Sequence, residues 1–258
     1  MLNRALDLGI NLIDSSAAYR WSEELIAKYV GHRRNEFVFA TKCGSGRVLQ
    51  PDGEWVQTLD YSARAIMPQI ERSLQRLKTD RIDIMQLHSP PHDDVAFGDG
   101  LDGLKRAQEQ GKVRFISLSA DGDAARKAIE IGEYDTLQIS YNVLDHDPGE
   151  IVAAARAKDM GIIIKQPIAN AVFEKEDEWD SEMATRARTI LATDVVGEVS
   201  RVEVALRWLL EDENVHTAIV GTSNLDHLVD NVEAVARGKL GEEMKRKIES
   251  KISQIVGP

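Results

Sequence analysis

Short runs of branched apolar residues alternate with longer amphipathic stretches from one end of the chain to the other. This alternation restricts the fold more than any other feature. Seven runs are strand candidates: Asn11–Asp14, Phe37–Thr41, Ile82–Leu87, Val113–Leu118, Thr136–Ser140, Gly161–Lys165 and Thr217–Val220. Several are apolar almost throughout (Ile-Asp-Ile-Met-Gln-Leu, Gly-Ile-Ile-Ile-Lys). Strands buried on both faces of a parallel sheet have this pattern, whereas half-solvated antiparallel strands alternate polar and apolar residues. Between the runs, Ser62–Lys78 carries Ala63, Ile66, Ile70, Leu74 and Leu77 at helical spacing, which gives one apolar face. Asp121–Gly132, Gly149–Met160, Val202–Glu211, Leu225–Ala236 and Glu242–Ile255 behave similarly. Two helical stretches run into Gly9 and Gly161 just before a strand, where glycine is expected to end the helix in the left-handed conformation. Such regular alternation predicts βαβ units and a TIM-type (β/α)8 barrel. No Pro/Gly/Ser-rich linker or break in composition interrupts residues 1–258, so a single domain is expected.

A closed barrel of this class needs about eight strands, and the shortage lies at the amino end, where Leu2–Leu8 opens directly as a helix. The expectation is an N-terminally truncated barrel without its first strand, from a reading frame that begins upstream of Met1; the intact mass of the natively expressed protein decides it. If the chain does start at Met1, its two sheet edges, Asn11–Asp14 and Thr217–Val220, need cover. A homo-oligomer is then expected to supply it, with weak cofactor binding.

No apolar run approaches the roughly 18–20 residues that span a bilayer, and no basic–apolar–small leader opens the chain. The one cysteine, Cys43, suits a reducing compartment, so a cytoplasmic protein is expected. The net charge of −11 is spread over interleaved acidic and basic residues, which argues against the basic face of a nucleic-acid-binding domain.

In parallel α/β barrels the active site lies at the carboxyl ends of the strands. The first run here ends at Asp14 and leads to Tyr19, the second leads to Lys42, and the third to His88. A buried lysine must be paired, and Asp14 is the carboxylate on the adjacent strand. An ammonium close to a phenol favours the phenolate, so Tyr19 is expected to titrate below its usual value of about 10. Such a tyrosine can protonate a carbonyl oxygen, which His88 can orient. Singly, each residue also has a structural reading, as a helix cap, a loop closure, a solvated lysine or a satisfied histidine. Their joint placement at successive strand ends favours catalysis.

The stretch Gly9-Ile10-Asn11-Leu12-Ile13-Asp14-Ser15-Ser16-Ala17-Ala18-Tyr19-Arg20-Trp21-Ser22-Glu23 resembles the aldo-keto reductase signature G-x-N-x-x-D-T-A-x-x-Y-G-x-S-E. Ala40-Thr41-Lys42 resembles the second strand signature of that family, and Asp80 to His88 resembles its D-x-x-D-x-x-x-x-H stretch. The resemblance covers nearly the whole chain. It implies an oxidoreductase that reduces an aldehyde or ketone, a small-molecule carbonyl substrate, with NAD(P)H. Tyr19 would be the general acid, Lys42 would lower its pKa, Asp14 would anchor Lys42, and His88 would position the carbonyl.

The resemblance also implies cofactor contacts. Gln138 matches the glutamine on the carboxamide, and Ser119 the serine of a Ser-Asn pair whose asparagine is here Ala120. Gly221, Thr222, Ser223 and Asn231 match the segment around the adenosine phosphate, and a helix starting near Asn224 would offer it backbone N–H groups. Lys165 stands where many members stack an aromatic ring on the nicotinamide. His227 stands where many place an arginine on the 2′-phosphate. Histidine grips phosphate less firmly than arginine, so NADP(H) is expected and NAD(H) stays open. The opening hairpin and first strand of the family have no counterpart here. A catalytically weak or inactive relative serving as a binding or regulatory subunit is therefore the alternative. A metal site at His88/His92/Asp93/Asp94 or Asp145/His146/Asp147 is not expected, because barrel metal sites gather ligands from several strand ends. The conformations of Gly44–Leu59 and Ala169–Asp194, expected to wall the substrate pocket, are left open by the sequence.

Overall fold

The computed structural model describes residues 1–174 and 182–256; residues 175–181 of the expected pocket wall Ala169–Asp194 lie outside that range. Each of the seven apolar runs forms a strand. In chain order the strands are β1 (Leu12–Asp14), β2 (Val38–Cys43), β3 (Ser45–Leu49), β4 (Trp55–Leu59), β5 (Ile82–His88), β6 (Val113–Ser119), β7 (Thr136–Ser140), β8 (Gly161–Lys165) and β9 (Thr217–Ala218). The chain divides into two compact units, Met1–Ile139 with Ala154–Gly161, and Ser140–Ala153 with Ile162–Pro258.

In the first unit the strand order is β1-β2-β5-β6-β7, with every pair parallel. The registers set Asp14 beside Ala40, Lys42 beside Gln86, His88 beside Ser119, and Ser119 beside Gln138. Since neighbouring strands carry paired residues on the same face, one face collects Asp14, Lys42, Gln86, His88, Ser119 and Gln138. The opposite face of β5 carries Asp83. Its carboxylate accepts from Arg34 at 2.6 Å and from the Phe39 N–H at 2.8 Å, tying the start of β5 to the start of β2.

Helices Ala63–Leu77 and Gly100–Glu109 cover part of this sheet. A Cβ at Gly103 would sit 2.7 Å from the Ile66 Cβ and 3.1 Å from the Ala63 backbone, so only glycine lets the two helices approach this closely. Gly103→Ala is expected to destabilise the protein by about 1–3 kcal/mol through overpacking, read as a lower urea midpoint.

In the second unit β8 pairs in parallel with β9, Ile163 opposite Thr217. The strand expected over Thr217–Val220 is shorter, although the Ile219 N–H still donates to the Ile164 carbonyl at 2.9 Å. Helices Glu182–Ile190, Arg201–Leu210 and Glu242–Val256 contribute Ala187, Ile190, Val204, Ala205 and Ile248 to a buried apolar cluster. Buried Glu203 sits between Arg207, at 2.7 Å, and Arg237.

One local expectation is corrected. Gly9 is left-handed (φ 89°), but Gly161 is not, and the left-handed residue after the helix is Asp159 (φ 59°). Aspartate tolerates that conformation through local hydrogen bonding. Gly161 serves a close approach instead, since a Cβ there would lie 2.9 Å from the Thr136 methyl.

Candidate active site

Asp14, Tyr19, Lys42 and His88 all belong to the first unit, and their contacts follow from the strand registers. Lys42, with a side chain 2% exposed, is ion-paired to Oδ2 of Asp14, itself 7% exposed. The ammonium also donates to the Ser15 carbonyl at 2.9 Å. Oδ1 of Asp14 accepts from the side-chain amides of Gln86 and Gln138, each at 2.9 Å. The carboxylate therefore meets three donors, which makes burial of this charge tolerable. Gln138 in turn accepts from the Ser119 hydroxyl at 2.9 Å.

Tyr19 reaches this network from the β1 loop. Its N–H donates to the Ser16 carbonyl at 3.0 Å, and its carbonyl accepts from the Ser22 N–H at 3.1 Å. The Ser15 and Ser22 hydroxyls meet at 2.8 Å across the base of the loop. Glu23, fully buried, accepts from Thr41 Oγ1 at 2.8 Å and pairs with Arg76, which anchors the helix that follows. The Tyr19 ring is held 5.3 Å from Lys42 Nζ and edge-on to His88, with ring centroids 5.8 Å apart. Its side remote from these groups is open, with the residue 49% exposed.

The expected lowering of the Tyr19 pKa is overturned: the phenol is raised above its ordinary value, by burial first and by the negative charge of Asp14 second. Lys42 lies close, but its charge is paired with Asp14, so it provides little net field to favour a phenolate. Cys43, at the end of β2, is also raised by burial, and the chemistry of the site does not draw on it.

Two residues here escaped the sequence reading. Ser16, fully buried, shares a 3.0 Å hydrogen bond with His88 Nδ1, and its oxygen also accepts from the Ala18 N–H at 3.1 Å. If the hydroxyl donates to Nδ1, the imidazole proton is left on Nε2. Gln86 supplies the second amide on Asp14 and was hidden inside an apolar strand; its own Oε1 is buried without a partner. Ser16→Ala is expected to lower kcat/KM about 2- to 10-fold by releasing one hydrogen bond. The loss should fall on kcat/KM while the urea midpoint changes little.

Beside Tyr19 and His88 opens a cavity of about 470 Å³, within the usual size of a small-molecule site. Its walls include Tyr61, whose hydroxyl donates to the His88 carbonyl at 2.7 Å, and whose phenol is pushed up to about 12, chiefly by burial. Gly44 has φ 86°, and a Cβ there would strike the Tyr61 ring at 2.2 Å, so the chain turns out of β2 directly beneath that ring. The other wall is the hairpin β3–β4, which occupies the segment Gly44–Leu59 that the sequence left open.

The aldo/keto reductase family model matches residues 1–253. The chain belongs to the aldo/keto reductase family. It is similar to the uncharacterized oxidoreductase YqkF of Bacillus subtilis, at 24% identity over 98% of this chain and 87% of that protein. It is also similar to the NADH-specific methylglyoxal reductase of Escherichia coli, at 30% identity over 61% of this chain and 51% of that protein. Among solved structures, an aldo-keto reductase from Bacillus halodurans in its holo form superposes with a TM-score of 0.83 at 23% identity, covering 97% of this chain and 85% of that one. The fold is the α/β barrel of the aldo/keto reductases, with seven parallel strands among the described residues.

Of the positions that the sequence resemblance assigns to cofactor contacts, Ser119 and Gln138 lie in the first unit, both buried and bonded to each other. Gln138 keeps one amide N–H and one oxygen lone pair beyond these bonds. Lys165 ends β8 in the second unit. Gly221, Thr222 and Ser223 follow β9 and lead into the helix Leu225–Ala236. Thr222 Oγ1 accepts from the Asn224 N–H at 3.1 Å, and the Asn224 side chain caps the Asp226 N–H at 2.8 Å. His227 and Asn231 stand one turn apart on that helix, with His227 exposed. The loop runs into a 12-residue helix whose first turn carries Asp226 and is capped by Asn224. Among the described residues no group of three or more His, Cys, Asp or Glu side chains could hold a metal ion, and no helix is long and apolar enough to cross a membrane.

Proposed function

We infer that this protein reduces the carbonyl of a small aldehyde or ketone to the alcohol. The observation that carries the reading is the Tyr19 phenol held beside the Asp14–Lys42 ion pair and edge-on to His88, at the wall of an open cavity. A nicotinamide dinucleotide, when bound, supplies the hydride. Tyr19 donates a proton to the carbonyl oxygen as charge develops there. His88, held by Ser16, donates a hydrogen bond from Nε2 to the same oxygen in the tautomer that accepts from the serine hydroxyl, and orients it. Lys42 packs against the Tyr19 ring, 5.3 Å from its centroid, and Asp14 with its amide partners keeps the ammonium in register.

Ser119 and Gln138 are assigned to the carboxamide. Gly221, Thr222, Ser223, His227 and Asn231 are assigned to the phosphates, and Lys165 to the nicotinamide side. NADPH is the preferred donor. The exposed His227, in place of an arginine, favours tolerance of NADH as well, a preference that the name of the Escherichia coli relative also carries. Cytoplasmic residence fits this use of a soluble cofactor.

Quenching of NADPH fluorescence on titration, followed by carbonyl-dependent NADPH oxidation, tests the reading. Binding with turnover is expected; no binding at tens of micromolar protein would refute it. The raised phenol also sets the pH dependence. Burial and the charge of Asp14 hold the Tyr19 phenol above its ordinary range, so it keeps its proton throughout the neutral range. The basic limb of reductive kcat/KM should accordingly lie on the alkaline side of an ordinary phenol, whereas oxidation of the alcohol, which needs the phenolate, should accelerate as pH rises. A basic limb near neutral pH would contradict this assignment.

A further inference from the structure

The cavity beside Tyr19 carries two guanidinium groups and no carboxylate. Its walls include Arg20 and Arg47 together with Ser45, Gln57, Tyr61 and His88, in a chain whose net charge is −11. Neither arginine has a carboxylate partner among the described residues, although the ion pairs elsewhere engage Arg33, Arg34, Arg76, Arg186 and Arg207. What sets these two apart is their place: both line one cavity whose walls hold no Asp or Glu.

Both arginines are held toward the cavity by backbone structure. Arg20 follows Tyr19 directly and has φ 54°, a conformation that glycine adopts freely and a side-chain-bearing residue rarely does. The signature at the start of the chain has glycine at this position, so the side chain is added here against the backbone preference. Such exceptions gather at functional sites. Arg47 comes from β3, where Ser45 pairs with Leu59 and Arg47 with Gln57. All four lie on one face of the hairpin, and all four line the cavity. Trp21 and Trp55 meet edge to face at 5.3 Å, tying the hairpin to the loop that carries Arg20.

We propose that Arg20 and Arg47 recognise an anionic group on the substrate, which makes the substrate class a small carbonyl compound bearing a carboxylate or phosphate close to its reducible carbon. The guanidinium fork matches both groups and can engage them in pairs of charge-assisted hydrogen bonds. Because Arg20 is the neighbour of the proton donor, the anion lies near the carbonyl, as in 2-oxo acids. This proposal rests on the carbonyl-reductase reading of the same site. The phosphates of the cofactor offer the same chemistry, so the test must separate the two sources.

Phenylglyoxylate and its methyl ester present the same ketone with and without the charge. With NADPH, the wild-type protein should have a KM for phenylglyoxylate about 10-fold or more below that for the ester. Arg20→Ala and Arg47→Ala should each raise the phenylglyoxylate KM about 10-fold. The ester KM and the NADPH dissociation constant should stay within about 2-fold, and Arg47→Lys should recover part of the loss. Equal effects on acid and ester, or a loss confined to NADPH affinity, would overturn the proposal; the second result would assign the anion to the cofactor. Quenching of tryptophan fluorescence by phenylglyoxylate alone reads the cavity independently of turnover, through Trp21 and Trp55. If NADPH neither binds nor is consumed, the reductase reading fails, while quenching by the acid that is lost in Arg20→Ala still supports the anion site. Absence of that quenching in a protein that also fails to prefer the acid rejects it.

Discussion

Tyr19→Phe is expected to lower kcat for carbonyl reduction by about 10²- to 10⁴-fold, the usual contribution of a positioned general acid. The change removes one oxygen from a half-exposed ring and leaves the 5.3 Å approach to Lys42 and the edge-on contact with His88 in place. NADPH affinity and thermal stability should therefore stay near the wild-type values, and the loss should fall on kcat and kcat/KM together, as for a group that acts only in the transition state. Steady-state kinetics beside NADPH fluorescence titration check this. Retention of near-full turnover would remove Tyr19 from the mechanism.

The largest effect on stability is expected at the ion pair. Asp14→Ala would leave the Lys42 ammonium, 2% exposed, without its carboxylate, and would strip the acceptor from the amides of Gln86 and Gln138. Removing one partner of a buried pair costs about 3–5 kcal/mol. Lys42→Met keeps the aliphatic stem and leaves Asp14 with two amide donors, so its cost should fall at the lower end of that range. The double variant Asp14→Leu/Lys42→Met carries no unpaired charge and should recover much of the loss. Urea midpoints of the three variants check the order Asp14→Ala below Lys42→Met below the double variant. A double variant as unstable as the sum of the singles would show that the two groups do not act as a pair.

Much of this arrangement was legible in the sequence because it rests on periodicity and on strand ends. The seven apolar runs are strands because their residues suit burial on both sides. Asp14, Lys42 and His88 follow from where those runs stop. The hairpin β3–β4 was missed because Ser-Gly-Arg-Val-Leu and Trp-Val-Gln-Thr-Leu are too polar to resemble the other strands. A signal was nevertheless present: Gln50-Pro51-Asp52-Gly53-Glu54 between two such segments is turn chemistry, and Gly53 has φ 89°. The bond from Ser16 to His88 spans 72 positions and depends on strand register, which no local pattern encodes. The direction of the Tyr19 shift was misjudged for a related reason. The pairing of Lys42 with Asp14 is legible in the sequence, but the burial of the phenol, which is the larger influence on it, is not.

The central claim is hydride transfer to a carbonyl at Tyr19 and His88, and isotopic transfer tests it most directly. The protein is incubated with phenylglyoxylate and NADPH deuterated at both transferable positions, and the product is analysed by mass spectrometry. The account predicts an alcohol carrying one deuterium on the former carbonyl carbon, formed by the wild-type protein and almost abolished in Tyr19→Phe. An unlabelled alcohol, or equal yields from the two proteins, would contradict it.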